Sequence, residues 1–184
     1  QVLSLRGDLK IKLLRGNVDT RIKKLKNGEY DAIILSQAGL QRLKLEELIT
    51  EVLDYKNFLP AACQGAVGIQ AKRKKKYKEK LVSLNHNKTE MECLSEREIL
   101  KCINANCNSP ISVYAEIQNN EIKISCELFD HDGKNLYSQT IRGNKEQAID
   151  LGQSMGKEIL LNVGKEKINQ LDKLENDFDY TPTT

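Results

Sequence analysis

The sequence has no tryptophan, three prolines, two histidines and only 5% aromatic residues in 184. With so few aromatics, stacking platforms for single-stranded nucleic acid are excluded as a main theme. No apolar run approaches the roughly 20 residues a membrane helix needs, and no signal-peptide pattern opens the chain. Charge of one sign is lacking too: 29 basic residues against 26 acidic leave a net charge of +3. That balance argues against nucleic acid as the principal partner. The five cysteines (Cys63, Cys93, Cys102, Cys107 and Cys126) are odd in number and show no Cys-x-x-Cys spacing. Neither a disulfide framework nor a zinc site is indicated, and reduced thiols in an intracellular compartment are the default. The chain opens on Gln1 without an initiator methionine, which suggests a processed or truncated piece.

What remains is 39% hydrophobic, enough for a real core in one large domain or two small ones. Leu9 to Leu14 reads as a strand closed by Arg15-Gly16-Asn17. A helix follows from about Val18 to Asn27, capped by Asn17 or Asp19 and stopped by Gly28. Tyr30 to Leu35 is a short continuous apolar run of the kind a sheet covered on both faces requires. Together these predict a right-handed βαβ unit. Ser36 to Leu43 forms a loop leading into a short helical pattern.

The turn at Arg15 and Asn17 places polar groups at the end of a strand, against the free amides of a helix N-terminus, with Arg21 one turn on. Guanidinium groups match carboxylates in bidentate geometry, so a polycarboxylate ligand suits this turn. Arg42 either joins the same anion site or is an ordinary surface arginine. Phe58 to Ala71 looks like a hinge around Gln64-Gly65 followed by a buried strand at Ala66 to Gln70. The basic run from Lys72 to Lys80 begins a helix reaching about Asn85 and reads as a solvated face.

From Thr89, with Glu92 as a capping box, a helix carries Met91, Leu94, Ile99, Cys102 and Ile103 on one half. It ends at Ile103-Asn104-Ala105-Asn106-Cys107-Asn108-Ser109-Pro110, a stretch of small turn-forming residues. Context leaves Cys107 between a buried small hydrophobe and a loop-tip nucleophile. Three strands follow, about Ile111 to Ile117, Glu121 to Phe129 and Asn135 to Arg142, an antiparallel meander. A last helix from about Lys145 to Val163 covers it, with Ala148, Leu151, Met155, Ile159 and Val163 in a stripe and Gly164 at its end. His86 and His131 read as solvated, and the tail from Asp177 to Thr184 as mobile.

Five ordered blocks carry a specific resemblance: Arg15 to Arg21, Gly28 to Leu35, Ala38 to Leu43, Leu59 to Ile69 and Cys107 to Ala115. They are similar to the porphobilinogen deaminase (hydroxymethylbilane synthase) family. The resemblance implies a transferase of tetrapyrrole (haem, porphyrin) biosynthesis that joins four porphobilinogen molecules head to tail. It does so on a dipyrromethane primer held by a thioether, which maps onto Cys107. Arg15, Arg21 and Arg42 match arginines that bind substrate and cofactor carboxylates, while Asn17 and Gln64 match positions lining the cleft. Ala105-Asn106 replace the family's glycine pair before the cysteine, and Lys72 stands where an arginine is common.

The fold expected from this resemblance is α/β and α+β. Residues 1–58 are part of a second domain with a periplasmic-binding-protein-like parallel or mixed sheet, incomplete at its N-terminus, and 59–86 are a hinge and a segment returning to a missing first domain. Residues 87–176 form a third domain, an antiparallel sheet covered by helices, and 177–184 a tail. No counterpart of the catalytic aspartate is present, so no catalytic residue is assigned in this chain and no metal is expected. The expected partners are porphobilinogen and an N-terminal fragment of the same enzyme, with no nucleic acid or membrane; the complete enzyme is expected to be monomeric and intracellular, in cytoplasm or a plastid-type organelle. The rival class is a non-catalytic α/β module binding polycarboxylate anions.

Overall fold

The computed structural model describes residues 1–106 and 109–173. Its core belongs to the second half of the chain, where every strand among the described residues is found. Strands β1 (Ile111–Gln118), β2 (Glu121–Phe129) and β3 (Asn135–Asn144) form one antiparallel sheet in the order β1-β2-β3. The register sets Val113 opposite Cys126, Ala115 opposite Ile124 and Ile117 opposite Ile122, so the apolar residues of both strands share one face. On the other face Ser125 and Thr140 pair through their hydroxyls at 2.9 Å, and Arg142 meets Glu121 at 2.9 Å. The first hairpin needs only Asn119-Asn120 between its paired ends; Asn119 takes a φ of 56°, which asparagine tolerates better than most residues.

Two long helices cover the apolar face. Helix α5 (Asn87–Ile103) lays Ile99 and Ile103 on the sheet, and α6 (Ala148–Val163) adds Ala148, Met155 and Ile159. A one-turn 3₁₀ segment, Lys145–Gln147, leads into α6. Glycines let α5 and α6 approach closely. A Cβ added at Gly152 would lie 2.3 Å from the Ser95 carbonyl oxygen, and one at Gly156 2.5 Å from the Cys102 Cβ. Gly164 ends α6 with a φ of 86°, as expected, yet the chain immediately restarts as α7 (Lys165–Lys173). Ile168 and Leu171 of α7 are buried in the same core. The proposed tail from Asp177 lies outside the described residues.

The first half contains helices and turns but no strand among its described residues. Short α1 (Val2–Leu5), α2 (Val18–Lys26), α3 (Gln37–Arg42) and α4 (Lys75–Val82) are separated by irregular chain. The strands expected at 9–14, 30–35 and 66–70 are therefore corrected, and with them the paired βαβ unit. The physical reason is that a strand exists only through a ladder to a neighbour, and no described segment offers one. Leu9, Ile11, Leu13, Ile34, Val67 and Ile69 are accordingly exposed.

Smaller corrections have local causes. The capping box of Thr89 and Glu92 does not form: His86 caps α5, its Nδ1 accepting the Thr89 amide at 3.3 Å, while Glu92 is engaged elsewhere. His131 is half-buried, with Nε2 3.1 Å from the Leu171 carbonyl oxygen, rather than solvated. Leu94 faces outward at 42% exposure, unlike its companions on the expected apolar half. The basic helix is shorter than expected, starting at Lys75 and ending at Val82.

Candidate functional site

The turn before α2 is built by three residues with separate tasks. Gly16 adopts a φ of 118°, and a Cβ there would press to 2.9 Å from the Thr20 Cγ2, so glycine is required on both counts. Asn17 caps the helix: its Oδ1 accepts the Thr20 amide at 2.9 Å and the Thr20 hydroxyl at 2.7 Å. Arg21 folds back so that its Nε donates to the Gly16 carbonyl at 2.7 Å. That bond ties the guanidinium to the turn at the helix N-terminus through Nε alone, and a guanidinium beside a helix N-terminus is chemistry suited to a carboxylate.

The N-terminus of α3 comes up to this turn. A Cβ on Gly39, in the first turn of α3, would stand 3.8 Å from the Val18 Cγ2 at the start of α2. The first turns of α2 and α3 thus touch at Val18 and Gly39. Arg15 is exposed, and Arg42 is exposed in the last turn of α3, at the opposite end of that helix from Gly39. Arg15, Asn17 and Arg21 form one local group through the turn; Arg42 is attached to it only through the short α3.

Gln64 sits on a second tight turn. Its amide donates to the Ala61 carbonyl at 3.0 Å and the Ala66 amide to the Cys63 carbonyl at 3.1 Å, while Cys63 and Gly65 both have positive φ, 59° and 87°. The side chain of Gln64 is exposed at the tip. Cys107 lies outside the described residues.

A buried carboxylate that the sequence reading passed over ties the Gln64 turn to the sheet. Glu96 on α5, 4% exposed, accepts the Cys63 amide at 2.5 Å through Oε2 and the Ala115 amide at 2.7 Å through Oε1. One turn earlier Glu92 Oε1 accepts the Ile117 amide at 2.8 Å, and the Pro60 carbonyl accepts the Val113 amide at 3.1 Å. Residues 113, 115 and 117 point their amides out of the free edge of β1. The two glutamates and Pro60 thus stand in for a missing neighbour strand, which closes that edge to other chains. Tyr55 packs on Tyr114 with ring centroids 4.8 Å apart, and the Gln1 side-chain amide donates to the Leu59 carbonyl at 2.7 Å. Residues 55–63 therefore run beside β1 and end against α5 at Cys93 and Glu96.

Burial pushes the Glu96 carboxyl above its ordinary value, against the amides of Ala115 and Cys63 that favour its charge. Glu92, Glu96, Ile99 and Ile103 fall on one stripe at helical spacing. Acids continuing an apolar stripe were the signal that could have revealed the clamp.

Among the described residues no group of three histidine, cysteine or carboxylate side chains is placed to hold a metal ion, and no helix is long and apolar enough to cross a membrane.

Fold and site together define an α+β protein with a helix-covered, three-stranded antiparallel sheet, preceded by a segment of glycine turns and helix N-termini. Two family sequence models match it, "Porphobilinogen deaminase, dipyromethane cofactor binding domain" over residues 1–80 and "Porphobilinogen deaminase, C-terminal domain" over residues 90–161. The chain belongs to the porphobilinogen deaminase family. It is 37% identical over 172 residues to a protein of Maridesulfovibrio salexigens named porphobilinogen deaminase, covering 93% of this chain and 56% of the relative. A protein of the same name from Alkaliphilus metalliredigens is 35% identical over 177 residues, covering 96% of this chain and 56% of the relative. The chain thus spans a little over half the length of these curated relatives. The rival expectation of a non-catalytic anion-binding module draws no support from these matches.

Proposed function

We propose that this chain serves in a porphobilinogen deaminase, a transferase that condenses four porphobilinogen molecules head to tail and finally releases hydroxymethylbilane by hydrolysis. Each addition expels ammonia from the aminomethyl group of the incoming pyrrole and forms one carbon–carbon bond. Cys107 holds the dipyrromethane cofactor through a thioether; that group supplies the pyrrole terminus on which the chain is extended. Arg15, Arg21 and Arg42 bind carboxylates of substrate and cofactor, and Asn17 and Gln64 shape the cleft. The observation that carries the reading is the turn at residues 15–21, where Arg21 is braced on the Gly16 carbonyl beside a capped helix N-terminus, within the segment matching the cofactor-binding family model. Its donors suit a ligand bearing several carboxylates.

In this proposal residues 1–58 form part of a periplasmic-binding-protein-like domain, 59–86 a hinge and returning segment, and 87–176 the unit bearing Cys107. The partner is an N-terminal polypeptide of the same enzyme that pairs with the extended stretches at 9–14, 30–35 and 66–70 and supplies the catalytic aspartate. The exposed apolar residues of those stretches, Leu9, Ile11, Leu13, Ile34, Val67 and Ile69, support it. The assembled enzyme is a soluble monomer of the cytoplasm or a plastid-type organelle, acting on neither nucleic acid nor membrane, and the chain alone is inactive.

Intact mass under denaturing conditions tests the cofactor assignment. Material produced with the complementary N-terminal polypeptide is expected to carry a mass excess of two pyrrole units that vanishes in Cys107→Ser, and to consume porphobilinogen. Deaminase turnover by the homogeneous chain alone, or an excess that survives the substitution, contradicts the proposal.

A further inference from the structure

Cys63 is fastened to α5 by two of its own atoms. Its amide donates to Glu96 Oε2, and its thiol points at the Cys93 carbonyl oxygen, 3.6 Å away. Residues 93 and 96 are neighbours on one helix face, so the backbone and side chain of Cys63 are held on that face together. Cys93 lies near enough to Cys63 to be among the groups that raise its thiol. Both are half-buried, and a φ of 59° leaves the Cys63 backbone in the left-handed region, where a side chain is tolerated only if its surroundings hold it. The other described cysteines are committed elsewhere: Cys126 is in the core, and the Cys102 thiol faces the Gln153 carbonyl at 3.8 Å.

We propose that Cys63 and Cys93 form a dithiol site that closes to a disulfide and staples the Gln64 turn to α5. The oxidant is a small-molecule disulfide such as oxidised glutathione. One protein thiolate attacks its sulfur–sulfur bond, releasing one glutathione thiolate and leaving a mixed disulfide. The second protein thiolate then attacks the protein sulfur of that mixed disulfide and expels the other glutathione thiolate. The protein pair loses two protons and two electrons; the oxidant gains both and leaves as two thiols.

Burial, reinforced by the neighbouring Cys93 and Glu96, lifts the Cys63 thiol to about 12, and burial raises Cys93 as well. At neutral pH the pair is therefore protonated, and exchange is slow and alkali-accelerated. Closure does not depend on the proposed enzymatic role; only its consequence at Gln64 rests on that reading. With the turn stapled, the protein loses the freedom to lift Gln64 away from the sheet edge.

The test treats the folded chain with oxidised glutathione, blocks remaining thiols with N-ethylmaleimide and digests it with trypsin without reduction. Cleavage at lysine and arginine yields peptides 57–72 and 89–97, each with one cysteine. They are expected as one reducible cross-linked species, formed at a rate rising about tenfold per pH unit below the thiol pKa values. Cys63→Ser and Cys93→Ser each abolish it. In urea the same cross-link loses its preference over other pairings. Recovery of both peptides as separate alkylated or glutathione-bearing species from the folded wild-type chain overturns the proposal, as does a dominant cross-link to any other cysteine; neither result depends on a variant folding.

Discussion

Ile124 and Ile34 both sit in stretches that read as strands, the first alternating and the second a continuous apolar run, yet the first is fully buried and the second 58% exposed. The difference lies in what stands beside them. Ile124 has Ala115 on one side and Ile141 on the other, both supplied within a few tens of residues by two hairpins. Ile34 has no strand beside it among the described residues, and neither do Leu9, Ile11, Val67 or Ile69. Apolar alternation specifies which face a strand buries; it does not supply the neighbour. The second half of the chain pairs its strands within itself, and the free edge at β1 is satisfied by Glu92 and Glu96 of its own helix together with Pro60 from the first half.

The comparison is broken most directly by a matched pair of truncations. Ile124→Ala is expected to cost roughly 2–5 kcal/mol in urea unfolding of the α+β unit, whereas Ile34→Ala changes that transition by less than roughly 0.5 kcal/mol. Equal losses from the two would show that the first half is folded into the same cooperative core. Next in size is the clamp. Glu96→Ala leaves the Cys63 and Ala115 amides without their acceptor and is expected to cost about 2–4 kcal/mol. Faster amide exchange should appear at both residues, and exchange altered at only one would assign the clamp to a single contact.

A smaller effect is expected at the first turn of α2. Asn17→Ala removes the cap on Thr20 and is expected to weaken that helix by about 1 kcal/mol while leaving the sheet unfolding transition in place. Exchange measured at the amides of α2 reads it. The smallest effect is a pH dependence. Because burial raises the Glu96 carboxyl above its ordinary 4.5, the folded chain holds that proton more tightly than the unfolded chain. Its contribution to stability therefore increases as pH falls through the raised value and levels off below 4.5. Glu96→Gln cannot take up that proton, so wild type is expected to gain on the variant across this window; a gap between them that stays constant with pH would contradict the assigned cause.

What could be read from the sequence follows the range of the interactions involved. The meander, the helix over 87–103 and the helix over 148–163 were legible because periodicity, turn residues and partners all lie close together. Asn17 as a cap and Gly28 as a stop were likewise local, and both hold. Thr89 and Glu92 have a capping box's spacing, but the Ile117 amide competes for Glu92 from a strand 25 residues away, and nothing at positions 89–92 announces that. Gly164 was read correctly as an end and wrongly as the last one, because α7 carries only two apolar residues, Ile168 and Leu171, and both are buried through tertiary contact. Among the candidate site residues, the place of Arg21 one turn past Asn17 was local and legible, whereas its bond to the Gly16 carbonyl and the relation of Arg42 to that turn are set by the folded chain.

Hydrogen exchange followed by mass spectrometry on the isolated chain tests the central claim, that an α+β core with its own paired sheet is joined to a segment whose apolar stretches lack a strand neighbour. The account predicts slow exchange across β1, β2, β3, α5 and α6, and exchange near the unprotected rate at 9–14, 30–35 and 66–70. Protection in those three stretches comparable to that of β2 would mean that they are already paired in the chain alone, and would contradict it.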